Sequence, residues 1–169
     1  MDFCRTYEYL CRARARLLEW VRPLSPEQYE RAFAIGPGSL ARVLTHILIS
    51  EWYYVERLLG NEVPAYDQWA IRDEAPPAFD ALERAWSEQA VRTRGALAMA
   101  RDWDATLEYQ VTDDDGVRIV VTATPRDIAT QLVLHEVHHR AQAMNMLRQM
   151  GVKAEDLDYN LMVYGRRPA

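Results

Sequence analysis

Apolar residues recur at helical spacing in four stretches of the chain. In the first stretch they stand three, four or seven positions apart, at Phe3, Tyr7, Leu10, Leu17 and Val21. This is the period of an amphipathic helix, and Pro23 should end it by disfavouring helical geometry at the preceding residue. Ser25, Pro26 and Gln28 then form a capping box with proline at the first helical position, which predicts a short helical turn.

The second stretch predicts a long helix that begins after Ser39, its N-cap, and ends at Gly60. Its apolar face consists of Leu40, Val43, Leu44, Ile47 and Leu48. Residues 61–77 are rich in proline and turn formers, so they predict a long connection that can cross the length of a helical bundle. A third helix is expected from about Pro77 to Ala100, where the apolar positions again follow the helical period.

One β-hairpin is predicted between the third helix and the last. Leu107, Tyr109 and Val111 alternate with polar residues, the turn sequence DDDG follows at 113–116, and residues 117–122 are rich in β-branched side chains. Two such segments around a short turn predict an antiparallel pair of strands.

The last long helix has the clearest start signal of the chain. Thr124, Pro125 and Asp127 form a capping box with proline at the first helical position, and the helix is expected to run through Gly151. Four long helices with one small hairpin before the last predict an all-α four-helix bundle. The length favours a single domain over residues 1–169.

Composition and charge exclude several classes of protein. The 20 basic and 25 acidic residues give a formal charge of -5, and the basic residues are spread along the chain, which argues against a nucleic-acid partner. No apolar run is long enough to span a membrane. The first residues interleave charges with apolar side chains, unlike a secretory signal, so a cytoplasmic location is expected.

The two cysteines, Cys4 and Cys11, fall on the first predicted helix. A separation of seven helical residues places them roughly 10 Å apart along the axis, beyond the reach of a disulfide. They are expected to be free thiols and small buried residues of that helix.

The sequence HEVHH, residues 135–139, carries the main chemical signal. On a helix, His135 and His139 differ by about 40° of rotation and about 6 Å of rise, so both imidazoles can bind one ion. His138 is rotated about 100° from His139 and is assigned to the flank of the site. The pair is expected on an inward, apolar stripe, where two uncharged imidazoles need partners that a divalent ion would supply, although purely structural histidines remain an alternative.

The same letters match H-E-x-x-H, the signature of zinc proteases. One class of these enzymes has its third histidine six residues after the motif, where this chain has Asn145. Another class uses an acidic residue further on, for which the chain offers Glu155, Asp156 and Asp158. The predicted bundle lacks the sheet that would hold a peptide as an added strand, so this interpretation has weak support.

The segment HEVHHRAQ, residues 135–142, resembles the last-helix signature H-x-x-H-H-R-G-Q of the DinB/YfiT-like superfamily. GSLARVLTHIL resembles the segment that carries that family's first metal histidine, here His46. The resemblance implies an up-down-down-up four-helix bundle in which His46, His135 and His139 bind a divalent metal ion. Three imidazoles favour late first-row ions, so zinc and nickel are the best candidates. One departure is Ala141 in place of glycine, which affects the close approach of another backbone or a ligand and leaves the helix intact. With His46 as third ligand, Glu136 becomes a helix-surface or inter-helix carboxylate.

Members of this family resemble S-transferases that use bacillithiol or mycothiol. The resemblance therefore implies a thiol-dependent S-transferase, in which a metal-bound low-molecular-weight thiol attacks an electrophilic small molecule. A non-catalytic metal- or ligand-binding stress protein is the main alternative, a H-E-x-x-H zinc hydrolase a weaker one, and the choice between a monomer and a homodimer is open.

Two residues are candidates for contact with the cofactor. Tyr53 lies two turns after His46 on roughly the same side of the second helix, with Ser50 between them, although aromatic residues at this spacing also occur in cores. Arg140 matches the family signature, as does Gln142, and each is either part of a solvated or inter-helix pair or a partner of the metal ligands.

Overall fold

The computed structural model describes residues 1–112 and 115–167, so Asp113 and Asp114 of the predicted DDDG turn lie outside the described residues. The described chain is mostly helical, with one antiparallel pair of strands. Its helices are Phe3–Val21 (α1), Pro26–Tyr29 (α2), Leu40–Leu59 (α3), Phe79–Ala98 (α4), Pro125–Gln149 (α5) and Tyr159–Val163 (α6), and its strands are Leu107–Thr112 (β1) and Arg118–Ala123 (β2).

The predicted caps define the helix ends. The Ser39 side chain accepts a hydrogen bond from the Arg42 backbone N–H at 3.2 Å, and α3 ends at Gly60 in the left-handed conformation with φ 74°. Thr124 and Asp127 form the reciprocal capping box at the start of α5. The four long helices predicted from periodicity are therefore confirmed, and their ends shift by only a few residues.

The core lies between the four long helices. α1 and α3 each pack against both α4 and α5. One continuous apolar cluster joins all four, with Leu10, Leu44, Leu82 and Leu147 fully enclosed. The short helix α6 was not predicted, because five residues are too few to show a helical period; it packs against α1, where Tyr159 meets the edge of Tyr9 at 5.0 Å between ring centroids.

A buried ionic network joins three of these helices at the level of the core. Arg14 of α1 donates hydrogen bonds to Glu51 of α3 and to Glu136 of α5, and all three side chains are at least nine-tenths buried. Arg140 flanks Glu136 at 3.5 Å and donates to the Tyr9 hydroxyl. Buried charges require such pairing, since an isolated one is strongly destabilising.

The position of this network matters for the site. Glu136 follows His135 directly on α5, and Glu51 lies five residues after His46 on α3. Because Arg14 bridges the two carboxylates, it fixes α3 and α5 relative to each other just beside the histidines. The sequence left two alternatives for Glu136, a helix-surface carboxylate or an inter-helix one. Glu136 is buried between helices, so the inter-helix alternative is correct and the helix-surface alternative is wrong.

The connection between α3 and α4 is ordered by its own contacts. It contains the 3-10 helix Tyr66–Gln68 and a β-bridge between Arg72 and Ala75. The Tyr66 hydroxyl lies within hydrogen-bond distance of the carboxylates of both Asp73 and Glu74, 2.6 Å from the second, and can donate its one proton to either; it also accepts from the Asp73 backbone N–H at 3.2 Å. These contacts bring Asp73 back to α3, beside His46.

The strands confirm the predicted hairpin, which pairs Leu107 with Ala123 and Thr112 with Arg118 at its two ends. Both cysteines are free, as expected. The prediction that both are buried is wrong, because Cys4 is exposed on the polar side of α1 and Cys11 is only half-buried. None of the helices in the described ranges combines the length and apolar composition needed to cross a bilayer.

Candidate metal centre

Three histidines from two helices converge on one point. His46 of α3 and His135 and His139 of α5 place one ring nitrogen each within 4.8 Å of the others. The Nε2 atoms of His46 and His135 are 3.2 Å apart, and the ring centroids of His135 and His139 are 4.4 Å apart. This is the only group of three or more such side chains found among residues 1–112 and 115–167, and it could hold a metal ion.

Asp73 orients the first of these rings. Its Oδ2 lies 2.9 Å from His46 Nδ1, and a carboxylate oxygen at this distance accepts the Nδ1 proton. The proton is therefore held on the side away from the cluster, and the Nε2 lone pair of His46 faces the other histidines. A carboxylate behind a ligating imidazole is a common partner in metal sites, where it fixes the ring and raises its basicity.

Gln142 orients His139 in the same way. The Gln142 Oε1 atom accepts from His139 Nδ1 at 2.8 Å, while its amide nitrogen donates to His138 Nε2 at 3.0 Å. Gly36, with φ 49°, lies against this amide so closely that a Cβ there would stand 2.1 Å from Oε1. The loop before α3 thus holds Gln142 in place, which supports the interpretation of Gln142 as a partner of the ligands.

Burial keeps the two imidazoles of α5 neutral. Burial, with smaller effects from the nearby histidines, lowers the pKa of His135 to about 3. Burial also lowers the pKa of His139. Only a neutral imidazole can donate its lone pair to a metal, so both side chains are in the binding-competent form at neutral pH.

Two sequence predictions about α5 meet different outcomes. His138 is exposed and lies outside the cluster, on its flank as predicted. The prediction that His135 and His139 face an apolar interior holds only in part: the apolar residues of that stripe are buried, whereas both histidines are half-buried at the edge of the core. The fully inward positions are one residue further along, at Glu136 and Arg140. The half-buried position gives the histidines both shielding from water and access from a cavity.

The donor set fits a late first-row divalent ion. Three imidazole nitrogens are the protein ligands of many catalytic zinc sites, which leave further positions open. The H-E-x-x-H interpretation gains no support, because the Glu136 carboxylate is paired with Arg14 in the core. Glu155 and Asp156 instead pair with Arg16 and Arg148 at the surface.

A cavity of about 930 Å³ adjoins the histidine cluster. Its wall includes His46, Ser50, Tyr53, Arg57 and Asp73. Tyr53 therefore borders the space from which a ligand would reach the histidines, and its contact with a cofactor stays a prediction.

Arg140, the other candidate for cofactor contact, lies on the core side of α5. It donates to Tyr9 and pairs with Glu136, and its side chain is about 5% exposed. The sequence alternatives for Arg140 included an inter-helix pair, which is the contact observed. A direct contact with a cofactor also stays a prediction, without support from its surroundings.

Sequence reasoning missed Asp73 and Arg57. Asp73 belongs to an irregular connection, where no period indicates which side chain returns to the helices. Arg57 did carry a signal, since it continues the spacing of His46, Ser50 and Tyr53 along one side of α3.

The fold and site together define a helical protein with a three-histidine centre beside a cavity. Comparison with known proteins agrees: the model of the DinB family matches residues 2–167, and the chain belongs to this family. The chain is also similar to Protein DinB of Bacillus subtilis (strain 168), with 22% identity over 167 residues, which cover 96% of this chain and 95% of that protein.

Proposed function

We propose that this protein is a divalent-metal-dependent thiol S-transferase. His46, His135 and His139 would bind the ion, with zinc or nickel as the best candidates, and a low-molecular-weight thiol would be joined to an electrophilic small molecule. One observation carries the proposal: three imidazoles from two helices converge beside a cavity large enough for a small molecule.

The residues of the chain favour this chemistry. A dipositive ion bound there would act as a Lewis acid that lowers the pKa of a coordinated thiol. Three uncharged ligands leave the charge of such an ion largely uncompensated, and three protein ligands leave open coordination positions. In the reaction, the thiol proton passes to solvent, the sulfur forms a bond to the electrophilic carbon, and the leaving group departs with the electron pair of its bond.

The attacking sulfur would come from the cofactor, for which bacillithiol and mycothiol are the candidates. Neither cysteine of the chain lines the cavity beside the histidines. Burial raises the pKa of the Cys11 thiol, which keeps it protonated and weakly nucleophilic at neutral pH. We place this chemistry in the cytoplasm, where thiols stay reduced.

We also propose that the whole chain is one domain with the up-down-down-up four-helix arrangement. The packing of α1 and α3 against both α4 and α5 supports this arrangement, as does the single apolar cluster that joins these helices. In such a bundle, a metal site between facing helices is a recurrent feature.

The test is a thiol-consumption assay with a generic aryl halide electrophile and bacillithiol, mycothiol or glutathione. We expect turnover with at least one thiol, loss of turnover after the metal is stripped, and retention of turnover in the Cys4→Ala/Cys11→Ala variant. Turnover that needs a cysteine of the chain, or that persists without metal, would contradict the mechanism. Stoichiometric metal without turnover with any thiol would favour a non-catalytic binding protein.

A further inference from the structure

Arg57 occupies an unusual position in the wall of the cavity. It lies eleven residues after His46 on α3, which corresponds to three full turns plus about 20°. His46, Ser50, Tyr53 and Arg57 therefore form one line along the helix, and all four border the cavity. The Arg57 side chain belongs to a residue that is only 9% exposed.

The guanidinium of Arg57 lies over two aromatic rings. Its central carbon lies 4.9 Å from the ring centroid of Tyr53 and 4.4 Å from that of Tyr109 on β1. Cation–π contacts of this kind stabilise a partly desolvated arginine. They satisfy none of its five N–H donors, which lie in the plane of the group and point away from its faces.

No carboxylate or carbonyl among the described residues accepts a hydrogen bond from Arg57, and its Nε–H is buried without a partner. The other deeply buried arginines have acceptors. Arg14 also has an unpartnered Nε–H, but its terminal nitrogen binds two carboxylates, and Arg140 binds Tyr9 and Glu136. Native structures rarely bury donors without acceptors, and such cases usually need an explanation. Arg57 lines the same cavity as His46 of the histidine cluster.

The charges of the cavity are separated along its length. Asp73 and Glu74 lie at the histidine end, where both carboxylates are within hydrogen-bond distance of the Tyr66 hydroxyl and His46 contacts Asp73. Arg57 lies about 16 Å further along the helix axis, measured from backbone to backbone. Arg118 adds a second, exposed cation to the wall. A ligand that reaches both ends is elongated and carries its negative charge away from the histidines.

We propose that Arg57 is a subsite for a carboxylate of the ligand, and that the thiol taken by this protein is an elongated acid rather than a small neutral thiol. The carboxylate would accept hydrogen bonds from the edge of the guanidinium, the geometry in which arginine binds carboxylates most strongly. The identification of the ligand as a thiol rests on the proposed function, whereas the anion subsite does not.

The experiment uses S-methylglutathione, an elongated acid without a free thiol, and its diethyl ester, in which both carboxylates are neutralised. Each is titrated into metal-free protein, and binding is followed by calorimetry and by the Arg57 Nε–H resonance in NMR spectra. The variants are Arg57→Met, which keeps the aliphatic part of the stack, Arg57→Lys, which keeps the charge, and Arg84→Met, a control in an exposed arginine.

We expect the acid to shift the Arg57 resonance and to bind at least about tenfold more weakly to Arg57→Met, because a charge-assisted pair is lost. Arg84→Met should bind like the unmodified protein, and Arg57→Lys should fall between the two. The ester should bind Arg57→Met and the unmodified protein equally. If Arg57→Met does not fold, the preference of the unmodified protein for acid over ester and the resonance shift decide the matter.

Equal binding of acid and ester, an unshifted Arg57 resonance, or equal affinity of Arg57→Met for the acid would overturn the subsite. The two proposals fail separately. Arg57-dependent binding of the acid without any thiol transfer leaves the subsite standing and removes the transferase. If the protein does transfer the thiol, but the KM for glutathione is the same in Arg57→Met as in the unmodified protein, the transferase stands and the carboxylate subsite is removed.

Discussion

Replacement of Arg14 by Met should destabilise the protein strongly, because this one cation neutralises two buried carboxylates. Arg14, Glu51 and Glu136 are 4%, 3% and 3% exposed. Removal of one partner from a buried ion pair typically costs about 3–5 kcal/mol, since the charge left behind cannot be solvated. Some compensation remains, because Thr93 donates to Glu51 at 2.6 Å and Arg140 stays near Glu136. We therefore expect a loss of about 3–5 kcal/mol for the two carboxylates together rather than for each.

This loss is a large part of the roughly 5–15 kcal/mol that stabilises a typical domain. For a chain of this size, about 1 kcal/mol corresponds to about 2–4 °C in Tm, so Tm should fall by roughly 6–20 °C. The assay is thermal and urea unfolding of metal-free protein at pH 7.5. Arg16→Met is the matched control on the same helix, where the side chain is 46% exposed, and it should leave Tm almost unchanged.

The cause can be separated from a loss of packing. In the Arg14→Met background, Glu51→Gln and Glu136→Gln remove the unpaired charges, and they should recover much of the lost stability, because a buried ionic cluster replaced as a whole is often tolerated. A Tm of Arg14→Met equal to that of the Arg16→Met control would refute the reasoning. A failure of the glutamine changes to restore any stability would show that packing, not charge, is the cause.

Three further predictions concern the histidine centre. Asp73→Asn should weaken zinc binding by about 10–100-fold in a competition assay, because the carboxylate behind the ligand is lost; an unchanged affinity would contradict its role. Gly36→Ala should displace Gln142 and weaken zinc binding. The control Gly60→Ala is also at a positive φ but would meet nothing within 4 Å, so it should affect stability alone. Equal zinc affinities of the two variants would contradict the role of the contact between Gly36 and Gln142. The pKa of His135 falls from 6.5 to about 3 on folding, so the unfolded state binds more protons between these values. The stability of metal-free protein should therefore fall as the pH drops below about 6.5, less so in His135→Leu, as measured by urea unfolding; parallel pH profiles would contradict the assignment.

The local parts of the structure were accessible from the sequence, since they depend on short-range spacing. The long helices follow from apolar periodicity and caps such as Ser39 and Thr124, and the hairpin follows from alternation. The pairing of His135 with His139 follows from the helical repeat. The choice of His46 as third partner needed the resemblance to a family, because nothing local links residues so far apart in the chain.

Features that depend on tertiary packing were not accessible. Arg14 stands in the run RARAR, which is typical of a solvated face, and only the packing of three helices places it between two carboxylates. Asp73 lies in an aperiodic connection whose path is set by contacts of Tyr66. The half-burial of His135 and His139 depends on how α5 packs, because the charged residues Glu136 and Arg140 are buried more deeply through their ion pairs.

The central claim is that His46, His135 and His139 bind one divalent ion. Its most direct test is elemental analysis of protein purified without a histidine tag, for the unmodified chain and for alanine variants of each histidine. We predict about one zinc or nickel ion per chain, retained in His138→Ala and lost in each variant of the three-histidine cluster. Metal-free protein that gains no thermal stability from zinc or nickel, or equal loss of metal from all four variants, would contradict the account.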